Sequence, residues 1–488
     1  MKKITILRFI QNNPNDLKSK ILTSGFWLTF SNTVVKILQF IRSIILARLL
    51  TPEIFGIWGI VSLVRQGIEV FTNTGFGTEL IHRQKQIKEA SDIAWTLNVV
   101  RGFILMVLCF VFAPLVAKFY HKPILEILLK AIAVTFFING LRNINIILLK
   151  KELNFKKIAI QQQISALLGL VVTLTLAYLY RNVWALVWGT IAFFITDLIT
   201  SYIIQPKYPK LYYNKKLAKE IFKYGIFISG GGIVVFITTE LDNAVVGKIL
   251  GMKWLGFYVL AYTLANLPAT EITHVVSGVM FPAYSQLQNN IDRLRNLYLK
   301  TLRIVATFSI PAAAGLAFLA PDILRFIYGE KWLPATNTLR ILCIFGAIRS
   351  LGATTGPIYN AIGKPNITFF LNFSRLILIV LLIYPLSIKY GIIGTAYSIV
   401  IPAIILQFFS WNILKRVLNI KLFNIITAII GPVFASIIML FAIYYFSYYI
   451  LSSVQSIWNL FIVIIFAIFV YILAYFSYMK FIPNPNSL

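Results

Sequence analysis

The sequence predicts an all-α integral membrane protein of about fourteen transmembrane helices, and three observations predict it. Hydrophobic residues make up 59% of the chain and charged residues 12%, whereas a soluble domain is about half apolar and about a quarter charged. Apolar runs as long as the roughly 20 residues that cross a bilayer recur from end to end. The stretch 21–80 also returns 200 positions later, with residues 221–264 in register: Gly25 meets Gly225, Val34 meets Val234, Leu50 meets Leu250, Gly56 meets Gly256 and Trp58 meets Tyr258. A repeat of this length implies two related lobes, an arrangement common in transporters.

Each element follows from its local pattern. Residues 1–20 form a basic, partly amphipathic leader, with no small-residue cleavage site that would mark a signal peptide. The first hairpin turns at 47–56, where Thr51-Pro52-Glu53 is a helix-start signal: a proline in the first turn with an acid beside it. The first helix should therefore end near Arg48 and the second begin near Pro52. Six spans are expected in an N-lobe at 21–204, namely 21–47, 54–79, 92–117, 124–147, 158–180 and 184–204. A basic linker occupies 205–220. A C-lobe at 221–414 repeats the six, at 221–246, 254–279, 294–319, 336–360, 366–388 and 391–413. Two further spans, 423–450 and 457–479, fall in the closing segment 415–488. An even six per lobe makes the repeats parallel, related by a pseudo-twofold axis along the membrane normal.

The formal net charge is +29, which in a soluble domain would point to nucleic acid. In a membrane protein the positive-inside rule accounts for it. Alternate connectors carry about 24 Lys/Arg on the side of the leader and about nine on the other, so both termini are expected in the cytoplasm. Glycine and proline interrupt several spans, at 229–232, Pro268, Pro311, Pro357, Pro402 and Pro432. They fit either hinges or ordinary kinks and close helix packing. Cys109 and Cys343 lie in separate apolar runs and read as buried thiols, with no disulfide and no metal.

The chemistry resides in charges within the spans. Lys36, Arg65, Arg101, Arg303, Arg349 and Arg375 fall far from span ends, near the bilayer midplane, and Arg42 lies closer to an end. The intramembrane acids are Glu69, Asp197, Glu240, Asp242 and Glu271. A charge at that depth costs at least about 2.5–3.5 kcal/mol against lipid, so each should face the interior and find partners or water. Bases outnumber acids, and the six mid-depth bases predict a cationic cavity that binds an anion, for which arginine's planar fork suits phosphate or carboxylate. The alternative is local pairing, as Arg65 and Glu69 at i,i+4 would allow. Arg42 and Asp242 share one repeat position with opposite charge and are candidates for a gate latch. Glu240, Asp242 and Asp197 are candidates for proton or sodium coupling, or else counter-ions to the arginines.

Enzyme signatures are missing: no Walker A loop, no Gly-x-Ser-x-Gly, no His-Glu-x-x-His and no Cys-x-x-Cys occurs. Of the histidines His82, His121 and His274, only His274 lies in a span.

The segments ARLLTPEIFGIWG at 47–59, GFGTELIHRQ at 75–84, FPAYSQLQNNIDRLRNLY at 281–298 and APDILRFIYGEKWLPATNTLRIL at 320–342 resemble the polysaccharide-synthesis family of the multidrug/oligosaccharidyl-lipid/polysaccharide (MOP) exporter superfamily. The resemblance covers nearly the whole chain. It implies a MATE-like, two-lobed alternating-access transporter of the bacterial inner membrane, similar to O-antigen and teichuronic-type repeat-unit flippases. Its cargo would be an undecaprenyl-diphosphate-linked glycan, its partners the bilayer, a polysaccharide polymerase and other assembly proteins, with no nucleic acid, no cofactor and no enzymatic step of its own. The family carries no short motif that assigns site residues. Two rival readings are a cation-coupled small-molecule exporter of the same superfamily, which would prefer an acidic cavity, and a membrane glycosyltransferase or polymerase, which would need catalytic acids at a water interface.

Overall fold

Thr51 caps the second helix two residues after the first ends. In the computed structural model the first helix, α1, runs Leu17–Leu49, and the second, α2, Pro52–Phe71. Thr51 adopts extended backbone between them, and its side chain accepts a hydrogen bond from the Ile54 amide. That satisfies one of the donors a helix start leaves without a partner, and Pro52 has no donor to satisfy. The hairpin thus turns where the Thr-Pro-Glu signal predicts.

The structure describes residues 17–72, 75–82, 86–152, 154–450 and 456–481. Most of the leader expected at 1–20 lies outside this set, as do residues 83–84 of the second family segment. The side chains of Glu271 and His274 also lie outside the described residues. Among the described residues every regular element is helical, and eleven helices are long and apolar enough to cross a membrane. The chain divides into two compact units, Met1–Phe236 and Ile237–Leu488.

In the first unit α1 and α2 are followed by α3 (Phe76–His82), α4 (Ile87–Phe119), α5 (Ile124–Leu141), α6 (Ile146–Lys151), α7 (Phe155–Tyr180) and α8 (Trp184–Ile204). Helix α9 (Lys215–Ile249) crosses the boundary between the units. It runs unbroken through the glycines at 230–232, so this stretch does not interrupt the helix. Here α4 pairs with α5 and α7 with α8, while α1 lies along α7 and α5 also meets α8. Small residues set the closest approach: a Cβ on Gly102 would sit 2.6 Å from the Phe136 carbonyl oxygen, and one on Gly140 2.6 Å from that of Asn98. Lipid gives helices little hydrophobic reason to associate, so such close backbone contact is a main source of their packing energy.

The second unit continues with α10 (Met252–Gln286), α11 (Ile291–Phe318), α12 (Ala320–Ile323), α13 (Thr336–Gly352), α14 (Gly356–Ala361), α15 (Pro365–Leu418), α16 (Leu422–Tyr445) and α17 (Ile457–Phe481). Helix α15 is two rods: Gly391, at φ 61° and ψ −142°, breaks it. That conformation is essentially reserved for glycine. Here α10 packs on α13, α11 on α13 and α16, α13 on α15, and α16 on α17. Tyr284, Tyr298 and Tyr359 are buried in the core that α10, α11, α14 and the C-terminal part of α15 share. Large apolar side chains such as Phe103, Val111 and Phe112 on α4 and Ile465, Phe469 and Phe476 on α17 stay exposed. In a bilayer their surroundings are hydrocarbon, and the chain is a multi-pass membrane protein.

Candidate functional site

In the first unit Glu69 is a hub. Arg65 Nη1 lies 2.9 Å from Glu69 Oε2, one helical turn away. Asn139 Nδ2 on α5 donates to Glu69 Oε1 at 3.2 Å. Arg101 on α4 reaches the end of α2, donating through Nη2 to Thr72 Oγ1 at 3.0 Å and to the Glu69 carbonyl at 3.3 Å. The Arg101 Nε is buried with no hydrogen-bond partner. A cavity of about 160 Å³ lies beside this network, lined by Glu69, Asn98, Arg101, Asn139, Arg142 and Asn143. Arg142 Nε stands 3.0 Å from Asp197 Oδ2, close enough to pair but without hydrogen-bond alignment. Gln161 Nε2 donates to Asp197 Oδ1 at 2.9 Å. The guanidinium and the amide thus each approach a different oxygen of Asp197.

A second cavity of the same unit is different in kind. It encloses about 530 Å³ between α1, α2, α7 and α8 and is lined by Lys36, Arg42 and Arg65 with Asn32, Gln39 and Gln162. Among the described residues three cationic side chains face it and no carboxylate does. The Arg65 guanidinium also stacks 5.5 Å from the centre of the Phe194 ring, which holds its plane while Glu69 holds one end. Amides at Asn32, Gln39 and Gln162 provide hydrogen-bonding groups suited to hydroxyl-rich ligands.

In the second unit Asp242 and Glu240 are held by neighbouring donors. Asp242 is 1% exposed; Tyr258 Oη donates to its Oδ2 at 2.7 Å and the Asn243 amide to its Oδ1 at 2.9 Å. Glu240 Oε2 accepts from Asn243 Nδ2 at 2.9 Å. Arg349 Nη1 donates to Asn266 Oδ1 at 2.9 Å, and the Arg375 guanidinium sits 4.8 Å over the Phe345 ring. Arg349 and Arg375 line one cavity of about 260 Å³. Arg303, on α11, is half-buried and lines none of these three cavities.

Within each unit, then, the structure gathers part of the expected set: Lys36, Arg42 and Arg65 around one cavity, Arg101 beside another, and Arg349 with Arg375 around a third. Sequence reasoning passed over Asn139, Tyr258, Asn266 and Gln161, which fix the charged groups. For Asn139, Tyr258 and Asn266 the signal was a polar residue inside an otherwise apolar run, whereas Gln161 opens a run of three glutamines. Among the described residues no cluster of His, Cys, Asp and Glu could hold a metal ion, and both cysteines are free and buried.

Comparison with known proteins places this arrangement. The solved structure titled lipid II flippase MurJ, inward closed conformation, superposes with a TM-score of 0.76 over 93% of this chain and 98% of that one, at 20% sequence identity; the likeness is one of fold. The lipopolysaccharide biosynthesis protein WzxC of Escherichia coli (strain K12) is 24% identical over 404 residues, 82% of each chain. The succinoglycan biosynthesis transport protein ExoT of Rhizobium meliloti (strain 1021) is 24% identical over 343 residues, covering 70% of this chain and 69% of its own. A family model described as polysaccharide biosynthesis protein matches residues 45–337, more than half of the chain, and the protein belongs to that family.

Proposed function

We propose that this protein is a transporter that moves a lipid-diphosphate-linked oligosaccharide across the bacterial inner membrane by alternating access, with no catalytic step of its own. One observation carries the reading: among the described residues the 530 Å³ cavity of the first unit is lined by Lys36, Arg42 and Arg65 and by no acid. Three cations converging on one space at membrane depth favour an anionic ligand, and a diphosphate or an acidic sugar supplies that negative charge. A cation-coupled exporter of cationic small molecules would need the opposite polarity there. Family membership, the flippase fold neighbour and the transport relative support the same reading.

The finer features belong to this proposal. We read fourteen crossings, counting the eleven candidate spans with the helix broken at Gly391 as two and adding α9 and α10. They group as an N-lobe (21–204), a C-lobe (221–414) and two additional helices within 415–488, joined by the linker 205–220, with both termini cytoplasmic. Lys36, Arg65, Arg101, Arg303, Arg349 and Arg375 contribute positive charge to anion binding. Asp242 and Glu240 serve ion coupling; Asp197, held by Arg142 and Gln161, is the weaker candidate. Arg42 and Asp242 form the proposed gate pair. A polymerase and other polysaccharide-assembly proteins are the proposed partners.

Deletion should leave undecaprenyl-diphosphate-linked repeat units on the cytoplasmic face, and the wild-type gene should restore their appearance outside. Repeat units that reach the outer leaflet at the normal rate in the deletion strain would refute the assignment.

A further inference from the structure

The second unit holds a pocket whose lining asks for a ligand of one kind. It encloses about 260 Å³ between α13, α14 and α15, and Arg349 and Arg375 face it with no carboxylate in its lining. Three buried polar atoms around it have no hydrogen-bond partner: Arg375 Nε, Thr368 Oγ1 and Gln407 Nε2. Two of these are obligate donors and the third a hydroxyl that can donate. Native interiors seldom leave such groups unsatisfied, and a cluster of them around one space calls for an acceptor that the chain does not supply. Water could accept the hydrogen bonds, but it cannot balance two guanidinium charges in a membrane-embedded unit. Asp242 acts on Arg375 from outside the pocket, but its oxygens accept from Tyr258 and Asn243 and do not reach the unpartnered donors.

The groups are also held ready. Arg375 is braced against the Phe345 ring at 4.8 Å. Arg349 spends one nitrogen on Asn266 at 2.9 Å and keeps the rest of its fork. The volume exceeds the roughly 30 Å³ of a single water-sized particle several-fold, so the space fits a polyatomic group better than a halide. Two planar forks with a hydroxyl and an amide match the oxygens of an oxyanion.

We propose that this pocket is an oxyanion site of the second unit, taking a carboxylate or a phosphate group. The inference rests on the anion-binding role proposed above for Arg349 and Arg375 and names the chemical group they hold. The anion can be the acidic substituent of a glycan, the phosphate of a lipid carrier or free phosphate.

The test is equilibrium binding to the purified full-length protein in nanodiscs, with glucuronate, inorganic phosphate, undecaprenyl phosphate and, as the neutral control, glucose. Saturable binding of at least one of the three anions and none of glucose is expected. Arg375→Gln and the paired change Thr368→Val with Gln407→Leu should each weaken it at least tenfold. Arg340→Gln, on the same helix as Arg349 but outside the pocket lining, should not. Preference for glucuronate would assign the site to an acidic sugar, for undecaprenyl phosphate to the carrier, and for inorganic phosphate to the free ion. Arg375→Lys keeps the charge and, if Arg375→Gln does not fold, should still bind more weakly than wild type. Absence of saturable binding by any anion, or wild-type affinity in the folded variants, would overturn the proposal. Because binding is read on purified protein and flipping in cells, failure of this site and failure of the transport assignment are separate results.

Discussion

Tyr258 donates its hydroxyl to Asp242 at 2.7 Å, joining α10 back to α9 across the second hairpin with both side chains buried. The first hairpin has Arg42 and Trp58 at the matching repeat positions. The acid therefore changes together with the residue that can hydrogen-bond it. A carboxylate without this donor would be left under-satisfied at a buried site, which costs about 1–3 kcal/mol. Tyr258→Phe should accordingly lower stability by about 1–2 kcal/mol, visible as a reduced thermal midpoint of the solubilised protein. An unchanged midpoint would show that the bond contributes nothing.

If Asp242 couples transport to an ion, its charge matters beyond its hydrogen bonds. Asp242→Asn keeps the shape and an oxygen that can accept from Tyr258. Flipping by this variant should lose its dependence on an imposed proton or sodium gradient at normal protein levels. Retention of full gradient dependence would reduce Asp242 to a packing role.

The gate reading makes a sharper demand of the same residue. Arg42→Asp and Asp242→Arg should each abolish flipping, and the two together should restore it. A dead double variant that reaches the membrane at normal levels would count against a latch.

Helix contacts in the first unit depend on the absence of a side chain at Gly102. A Cβ there would stand 2.6 Å from the Phe136 carbonyl oxygen, so Gly102→Ala must push α4 from α5 and should cost about 1–3 kcal/mol. Gly315 on α11 is the control, because its nearest neighbour would be the flexible Met439 Cε at 3.8 Å. Gly315→Ala should be neutral or stabilise by up to about 1 kcal/mol. Thermal midpoints of the two variants decide it, and equal effects would contradict the packing argument.

How far the sequence reached depends on the scale of the signal. Span-length apolar runs and the Thr51-Pro52 start signal are local, so the C-terminal end of α1 and the start of α2 were legible to within a residue or two. The Arg65–Glu69 pair was legible for the same reason, since i,i+4 spacing brings two side chains together on any helix. The partners of Arg101 were not. Thr72 lies 29 positions away, and only the packing of α4 beside the end of α2 joins them. The orphaned donors at Thr368 and Gln407 were equally hidden: a polar residue in a span can face a neighbour, a cavity or its own backbone, and composition does not say which. Gly391 shows the converse, for the break between two predicted spans was placed correctly at 388–391, while the positive φ that makes it needs the backbone itself.

The central claim is that positive charge within the membrane serves an anionic cargo. The most direct measurement is the rate at which undecaprenyl-diphosphate-linked repeat units appear on the outer leaflet in cells carrying Lys36→Gln with Arg42→Gln, matched to wild type for protein in the membrane. These two side chains line the acid-free cavity of the first unit, and losing both should slow flipping at least tenfold. Wild-type rates in the double variant would contradict the account.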